Sequence, residues 1–368
     1  MKAQKVAIII SPFRISPKSG AGEYTRRVLT SIKNSYETLY LLHPKGSPLN
    51  IHCDGGYEFS VFGGVGSLLL GLNLDYLLKL SKLMKLIKKN NKSVQIKILL
   101  NGVLGTISTY FISKIIGAKS IYIAHNVEKE RYFTESVTYK ERPVLPLLKL
   151  IAFLLEFFAT KFDQIVAISH EDKKKFVRLY KVPPEKVVVV PPRISREYYF
   201  AQDKIKLNKK DKKVGNFLIV FHGMYNYIPN REGMELIRKY ISKNIKYAQF
   251  VVFGSSAPNF IEGNFKSIGF VDDLYEFLLS CDIAIVPLRR GAGVKLKMLD
   301  YMAVGLPIVT TKKGAEGLDL VNGKHAIIVE DVNEKFIKAI EYLIENPKMR
   351  RKLGYNAGKL FEKKYVKV

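Results

Sequence analysis

The stretch DIAIVPLRRGAGVKLKMLDYMAVGLPIVTT, residues Asp282 to Thr311, decides the architecture. It opens on a short apolar run of strand length, DIAIVPL. A small loop, Gly291-Ala292-Gly293, leads into a helix starting near Val294. Leu296, Leu299 and Met302 recur at helical spacing and form its core side. Gly305 ends the helix, and a second apolar run, LPIVTT, carries a proline near its start. Strand, helix and strand in about thirty residues make one β-α-β unit, the building block of a parallel sheet.

The same alternation extends in both directions. Lys5–Ile10, Val94–Leu100, Ser120–His125, Gln164–Ser169 and Lys186–Val190 read as strands, with helical patterns over Glu23–Lys33, Leu72–Lys89, Gly105–Ile116 and His170–Tyr180. A proline-led, lysine-rich stretch ending at Lys213 then interrupts the pattern as a linker. Beyond it, strands are expected at Phe217–Gly223, Ala248–Gly254, Phe265–Phe270, Asp282–Leu288, Leu306–Thr311 and His325–Val329, and two last helices at Val332–Glu345 and Pro347–Tyr365. The expected fold is α/β: two Rossmann-like, doubly wound parallel-sheet domains facing across a cleft. The expected boundaries are 1–205, 206–350 and a C-terminal helix, 351–368, returning toward the first domain.

Composition narrows the partners. The 368 residues hold 60 Lys and Arg against 33 Asp and Glu, a net charge of +27, so the field attracts anions. Phosphorylated small molecules, anionic membranes and nucleic acid all meet that description. No nucleic-acid-binding motif accompanies the charge, and no such partner is expected. Cys53 and Cys281 stand far apart without neighbouring ligands, which argues for a reducing, cytoplasmic setting, no disulfide framework and no zinc site. The most apolar stretch, Val144 to Phe162, is interrupted by Lys149 and Glu156. It falls short of the roughly 18 uncharged residues of a spanning helix, and a buried or interface-lying helix is expected there.

Several chemistries are missing. GAGEYT at Gly20 and GAGVKL at Gly291 both lack the third glycine of a dinucleotide fingerprint. There is no P-loop, no Asp-x-Asp, no His-Glu-x-x-His and no Cys-x-x-Cys, so neither a metal nor a further cofactor is expected. What is present suits a diphosphate. Gly20 and Gly22 precede the helix expected at Glu23, and Gly293 precedes a helix start carrying Lys295 and Lys297. Free amides at a helix N-terminus and ammonium groups favour an anion there. Asp300, three residues after Lys297, projects from the same flank, where a carboxylate could accept from a ribose diol. A solvated Lys/Asp pair on a surface helix is the plainer alternative. His125 ends a strand, where it is either structural or cleft-facing, and Arg231 follows the first strand of the second domain within reach of an anion.

Together these segments resemble the GT-B glycosyltransferases, in particular the retaining family four (group 1). SPKSGAGEYTRRVL is similar to that family's glycine-rich first loop, AHNVE to its cleft histidine segment, and VAISHEDKKKF and VVVVPP to the close of its first domain. FHGMYNYIPNREGMELI resembles the start of its second domain, and GVKLKMLDYMAVGLPIVTTKKGAEGL is the most specific match. The resemblance implies hexosyl transfer from a nucleotide-sugar held by the second domain to a glycan or lipid-linked acceptor on the first. It implies Asp300 on the ribose, Lys297 and more weakly Lys295 on the diphosphate, Gly22 approaching the phosphates, and His125 on the transferred sugar. Gly20, Gly223, Gly293 and Arg231 complete the implied donor set.

Two positions depart from the family pattern. Ala292 stands where a first glutamate is common, and Met224 where an arginine is common. Without that glutamate, the implied route is front-side transfer in which the leaving diphosphate helps deprotonate the acceptor. A catalytically weak sugar-nucleotide-binding subunit and a sugar-nucleotide epimerase are the alternatives. For the acceptor side, the helix expected from Leu72 sets Leu72, Tyr76, Leu77, Leu80, Leu83, Met84, Leu86 and Ile87 on one face. Lys79, Lys82, Lys85, Lys88 and Lys89 occupy the other, either as a solvated face or as a seat on an anionic membrane.

Overall fold

A computed structural model describes residues 4–12, 25, 35–46, 53–59, 74–90, 94–192 and 217–366. Gly20, Gly22, the helix expected at Glu23–Lys33 (Thr25 apart) and the linker of 193–216 lie outside the described residues, as does the side chain of Lys88. The chain divides into two compact units, Met1–Tyr132 with Pro146–Pro192, and Phe133–Leu145 with Arg193–Val368.

In the first unit, seven strands form one parallel sheet: β1 (Gln4–Ile10), β2 (Thr38–Pro44), β3 (Gly55–Phe59), β4 (Val94–Asn101), β5 (Lys119–Ile123), β6 (Gln164–Ala167) and β7 (Val187–Val189). Their spatial order is β3-β2-β1-β4-β5-β6-β7. Val6 to Ile10 are buried throughout, as an inner strand covered on both faces requires. β2 and β3 add two strands to those expected. β3 opens on two glycines and buries only Phe59 fully, so it lacks the continuous apolar run by which inner strands are recognised.

The second unit repeats the design with β8 (Phe217–His222), β9 (Ala248–Phe253), β10 (Asn259–Glu262), β11 (Phe265–Ile268), β12 (Ile283–Val286), β13 (Ile308–Thr311) and β14 (Ile327–Val329). The order is β10-β11-β9-β8-β12-β13-β14. All pairings are parallel except β10 with β11, where an exposed edge strand folds back antiparallel. β8 lies between β9 and β12, so the strand order reverses beside it. In such sheets the carboxyl ends of the strands at that reversal open a crevice.

Two features redraw the expected boundaries. Phe133–Leu145 precedes the linker in sequence yet belongs to the second unit. It is tied there by Ile228 N–H on the Val137 carbonyl (2.9 Å) and Tyr139 N–H on the Asn226 carbonyl (3.1 Å). The Pro347–Tyr365 helix, whose 351–368 part was assigned toward the first domain, places Leu353, Ala357 and Phe361 in the second core. A Cβ on its Gly354 would stand 2.1 Å from the Gly305 carbonyl oxygen, so only glycine allows that crossing.

Candidate donor site

The site grows from the carboxyl end of β8. His222 is its last residue, and Gly223 turns away at φ +156, where L side chains are strained. Gly254, after β9, has φ +148, and a Cβ there would meet the Gly223 carbonyl oxygen at 2.1 Å. Two glycines therefore let the ends of neighbouring strands close on each other. Gly223 also clears a path for a lysine. A Cβ on it would lie 2.7 Å from both Asn230 Nδ2 and Lys297 Nζ.

Lys297 sits in the first turn of the Leu296–Ala303 helix and is buried. Its Nζ donates to Asn230 Oδ1 at 2.7 Å and lies 3.9 Å from the centroid of the Phe221 ring. Asn230 Nδ2 donates to the Met224 carbonyl (3.1 Å), which turns the amide oxygen toward the lysine. Burial holds the Lys297 ammonium well below its ordinary lysine value, with attraction from Asp300 partly offsetting and Lys295 adding to the depression.

Asp300 is buried as well, so the pair is not a solvated surface feature. Tyr275 OH donates to Asp300 Oδ1 at 3.2 Å, and Asp300 Oδ2 is 3.6 Å from His222 Nε2. The His222 ring stacks on Phe253 at 5.3 Å and meets Tyr301 edge-on at 5.1 Å. Tyr301 OH accepts from the His222 backbone N–H at 2.9 Å. His222 Nε2 is buried without a hydrogen-bond partner among the described residues. Burial, then the Lys297 charge, pull its pKa down to about 3, so the ring is neutral.

Lys295 behaves differently from Lys297. Its Nζ donates to the Gly293 carbonyl at 2.8 Å and to Glu316 Oε2 at 3.3 Å, and Lys313 reaches the same carboxylate at 2.9 Å. Arg231 also stands apart from the Lys297 group, its guanidinium 4.5 Å from the Tyr139 ring and 4.9 Å from that of Tyr225. The structure thus brings together Gly223, Lys297 and Asp300, ties Lys295 into its own loop, and lays Arg231 on aromatic faces.

In the first unit, His125 follows β5. Its Nε2 is 2.8 Å from Asn101 Oδ1, while Asn101 Nδ2 donates to Thr25 Oγ1 at 2.5 Å. An amide oxygen only accepts, so Nε2 carries the proton. Burial, then the nearby Arg131 charge, lower the His125 pKa to about 3. The turn after it is held by Glu156, whose oxygens accept from the backbone N–H groups of Glu128 (2.7 Å) and Lys129 (2.9 Å). Burial raises the Glu156 pKa to about 8 despite these bonds and that from Tyr180 OH.

Comparison with known proteins decides the family. Residues 20–198 match the model "Glycosyltransferase Family 4", and residues 216–346 match "Glycosyl transferases group 1". The chain belongs to the family-four, group 1 glycosyltransferases. This glycosyltransferase is 25% identical over 288 residues to the capsular polysaccharide biosynthesis glycosyltransferase CapM of Staphylococcus aureus, covering 72% of this chain and 70% of that one. It spans between 58% and 70% of the length of the curated relatives it matches. Its fold is similar to sucrose-phosphate synthase from Thermosynechococcus elongatus, with a TM-score of 0.73 at 14% identity over 99% of this chain and 95% of that one. It is also similar to Anabaena HepE in complex with UDP, with a TM-score of 0.68 at 13% identity over 99% and 96% of the chains. Both matches are to the GT-B fold.

Three participants in this glycosyltransferase's second-unit arrangement escaped the sequence. His222 looked like the end of a core strand, Asn230 is drawn in from the next helix, and Tyr275 lies 25 residues from the carboxylate it contacts. Only Asn230 carried a signal, as a polar residue directly after Pro229 at a helix start.

Proposed function

We propose that the enzyme moves a hexosyl group from a nucleotide-sugar to a hydroxyl acceptor, with retention and without a metal. The single observation carrying this proposal is the buried Lys297 ammonium, aligned by Asn230 beside side-chain-free Gly223 and one helical turn from Asp300. A buried cation with a depressed pKa gains most from a dianion, which restores the charged form. The leaving diphosphate is such a dianion, and Lys297 would stabilise the charge that grows on it. Asp300, one turn on, is the acceptor for ribose hydroxyls. His125 would contact the transferred sugar. The UDP held by the HepE structure suits a donor of this kind. Ala292 offers no nucleophile, which favours the front-side route. The absence of Asp-x-Asp from the sequence is why no metal enters the proposal.

Ala292 equally favours a weak sugar-nucleotide-binding subunit as the second reading. Hydrolysis of UDP-, GDP- and ADP-sugars tests both. Turnover with any donor supports the enzyme, whereas a thermal shift with donor but no hydrolysis or transfer supports the binding subunit. For the acceptor, the capsular role printed for CapM makes a glycan or lipid-linked hydroxyl the first to try. A peripheral seat at the inner membrane face would fit the lysine face of the Leu74–Asn90 helix. There Lys82 and Lys85 are exposed, while Lys79 is drawn to Asp75 (3.4 Å) and the Glu58 carbonyl. Leu86, expected on the core face, is exposed beside them. Co-sedimentation with anionic vesicles at low salt, lost on changing Lys82 and Lys85 to Glu, is the matching test.

A further inference from the structure

The Leu145–Ala159 helix is apolar apart from Lys149 and Glu156, and so apolar a helix is ordinarily buried all round. Here one face is buried, through Ala152, Leu155, Glu156 and Ala159. The opposite face carries Leu147, Leu150, Leu154 and Phe157, spaced three and four residues apart in one row, with exposures of 58%, 57%, 45% and 43%. The neighbouring Thr106–Ile116 helix, joined to it by Thr106 Oγ1 on the Leu155 carbonyl (3.1 Å), exposes Phe111 and Ile115. Scattered exposed apolar side chains need no explanation, but a contiguous ridge of them does.

The charge around the ridge is of one sign. Lys161 Nζ lies 4.6 Å from the Phe157 ring centroid, and Lys129 Nζ lies 5.4 Å from that of Phe153. Lys114 is exposed between Phe111 and Ile115. The acids of these elements are turned inward or already engaged: Glu156 is buried, Glu130 pairs with Lys175 at 2.6 Å, and Asp163 holds Lys114 and Ser120. A protein partner's interface core typically avoids lysine. Lysines whose ammonium groups lie over exposed aromatic rings suit a bilayer surface, where the rings reach the acyl boundary and the long side chains let the charges meet headgroups.

We infer that this glycosyltransferase inserts the Leu147–Phe157 ridge into the interface of an anionic bilayer. The helix has 15 residues, roughly 22 Å at 1.5 Å per residue, against roughly 30 Å of hydrocarbon, so it lies in the surface rather than crossing it. No helix among the described residues is long and apolar enough to cross. The inference deepens the peripheral-membrane part of the proposal above and gives it a different anchor, insertion by an apolar row in place of attraction to the Leu74–Asn90 lysines.

The chain contains no tryptophan, so one introduced indole reports alone. Phe157→Trp and Leu78→Trp, the latter on the exposed side of the Leu74–Asn90 helix, are mixed separately with phosphatidylcholine vesicles with or without phosphatidylglycerol. The inference expects a blue shift for the Phe157→Trp variant only, quenched by brominated acyl chains and dependent on the anionic lipid. It also expects Leu147→Ser/Leu150→Ser/Phe157→Ser to weaken vesicle binding about tenfold or more, with the circular dichroism spectrum and donor-induced thermal shift retained. Binding that survives this triple change and vanishes on Lys82→Glu/Lys85→Glu would overturn the inference and leave the lysine-face proposal standing. A Phe157→Trp indole already blue-shifted without vesicles, with dimers that the triple change dissolves, would overturn it in favour of self-association. Wild-type protein that ignores both kinds of vesicle would overturn both anchors.

Discussion

Two histidines close parallel strands in the two units, and both are neutral with pKa values near 3 because burial disfavours the imidazolium. Their surroundings differ in one respect. His125 donates a hydrogen bond from Nε2 to Asn101 Oδ1, and the amide's other end donates to Thr25 Oγ1. His222 is fixed by ring contacts alone, and its Nε2 faces Asp300 at 3.6 Å without a bond. A buried polar atom without a partner costs stability, and its persistence calls for an explanation. The pairing separates a histidine positioned by its own sheet from one whose remaining bond suits a ligand.

The largest expected effect tests the charge beside His222. Lys297→Ala should weaken UDP or GDP binding by about 1.5–3 kcal/mol, roughly 10- to 150-fold, while uridine or guanosine binding barely changes. Equal losses by calorimetry for nucleotide and nucleoside would remove the diphosphate role. Next, Asp300→Asn should cut donor affinity about tenfold or more, because an amide accepts through only one of its ends. Asp300→Glu should keep or improve donor use, and an Asn variant with normal turnover would sink the ribose assignment.

A smaller effect addresses the contrast itself. His222→Phe keeps the ring contacts and removes the orphan nitrogen, so the melting temperature should hold or rise while donor affinity falls about fivefold, roughly 1 kcal/mol. Unchanged donor affinity would make His222 structural, like its counterpart.

The smallest effect is in stability against pH, where the histidines and Glu156 act oppositely. Each histidine binds its proton near 3 when folded and near 6.5 when unfolded, so stability falls as pH drops through that window. Glu156 has the reverse sign. Folded, it holds a proton up to about 8, and unfolded only to about 4.5, so stability declines as pH rises between those values. Glu156→Gln should lower the melting temperature throughout, because its amide meets the Lys129 N–H, and should flatten that decline. A melting temperature with an unaltered slope between pH 5 and pH 8, within about 1 °C, would show that Glu156 does not titrate there.

Much of this was legible before the structure. Inner strands such as β1 and β8 show as uninterrupted apolar runs because both faces are covered. β3 and β10, at the sheet edges, have too few buried positions to leave a pattern. Lys297 and Asp300 were visible because helical spacing brings residues three apart onto one flank. Their burial was not, since it depends on Phe221, Asn230 and Tyr275 arriving from other elements. Glu156 read only as a charge breaking an apolar stretch. Its bonds to residues 27 and 28 positions earlier are long-range and leave no local trace. The expected phosphate loop at Gly20 and Gly22 lies outside the described residues.

Because Phe133–Leu145 is spent on the second unit, neither unit is one unbroken length of chain. An expression fragment starting at residue 206 would lack Val137 and Tyr139. It would leave Ile228 N–H without its backbone partner and strip one aromatic face from Arg231. On the ribosome, this strip emerges well before the turn at Asn226–Ile228 that it joins, so it must wait while Pro146–Pro192 is made and folds. Excision, circular permutation or domain exchange at the linker would cut through that dependence, whereas grafts that carry residues 133–145 along would respect it.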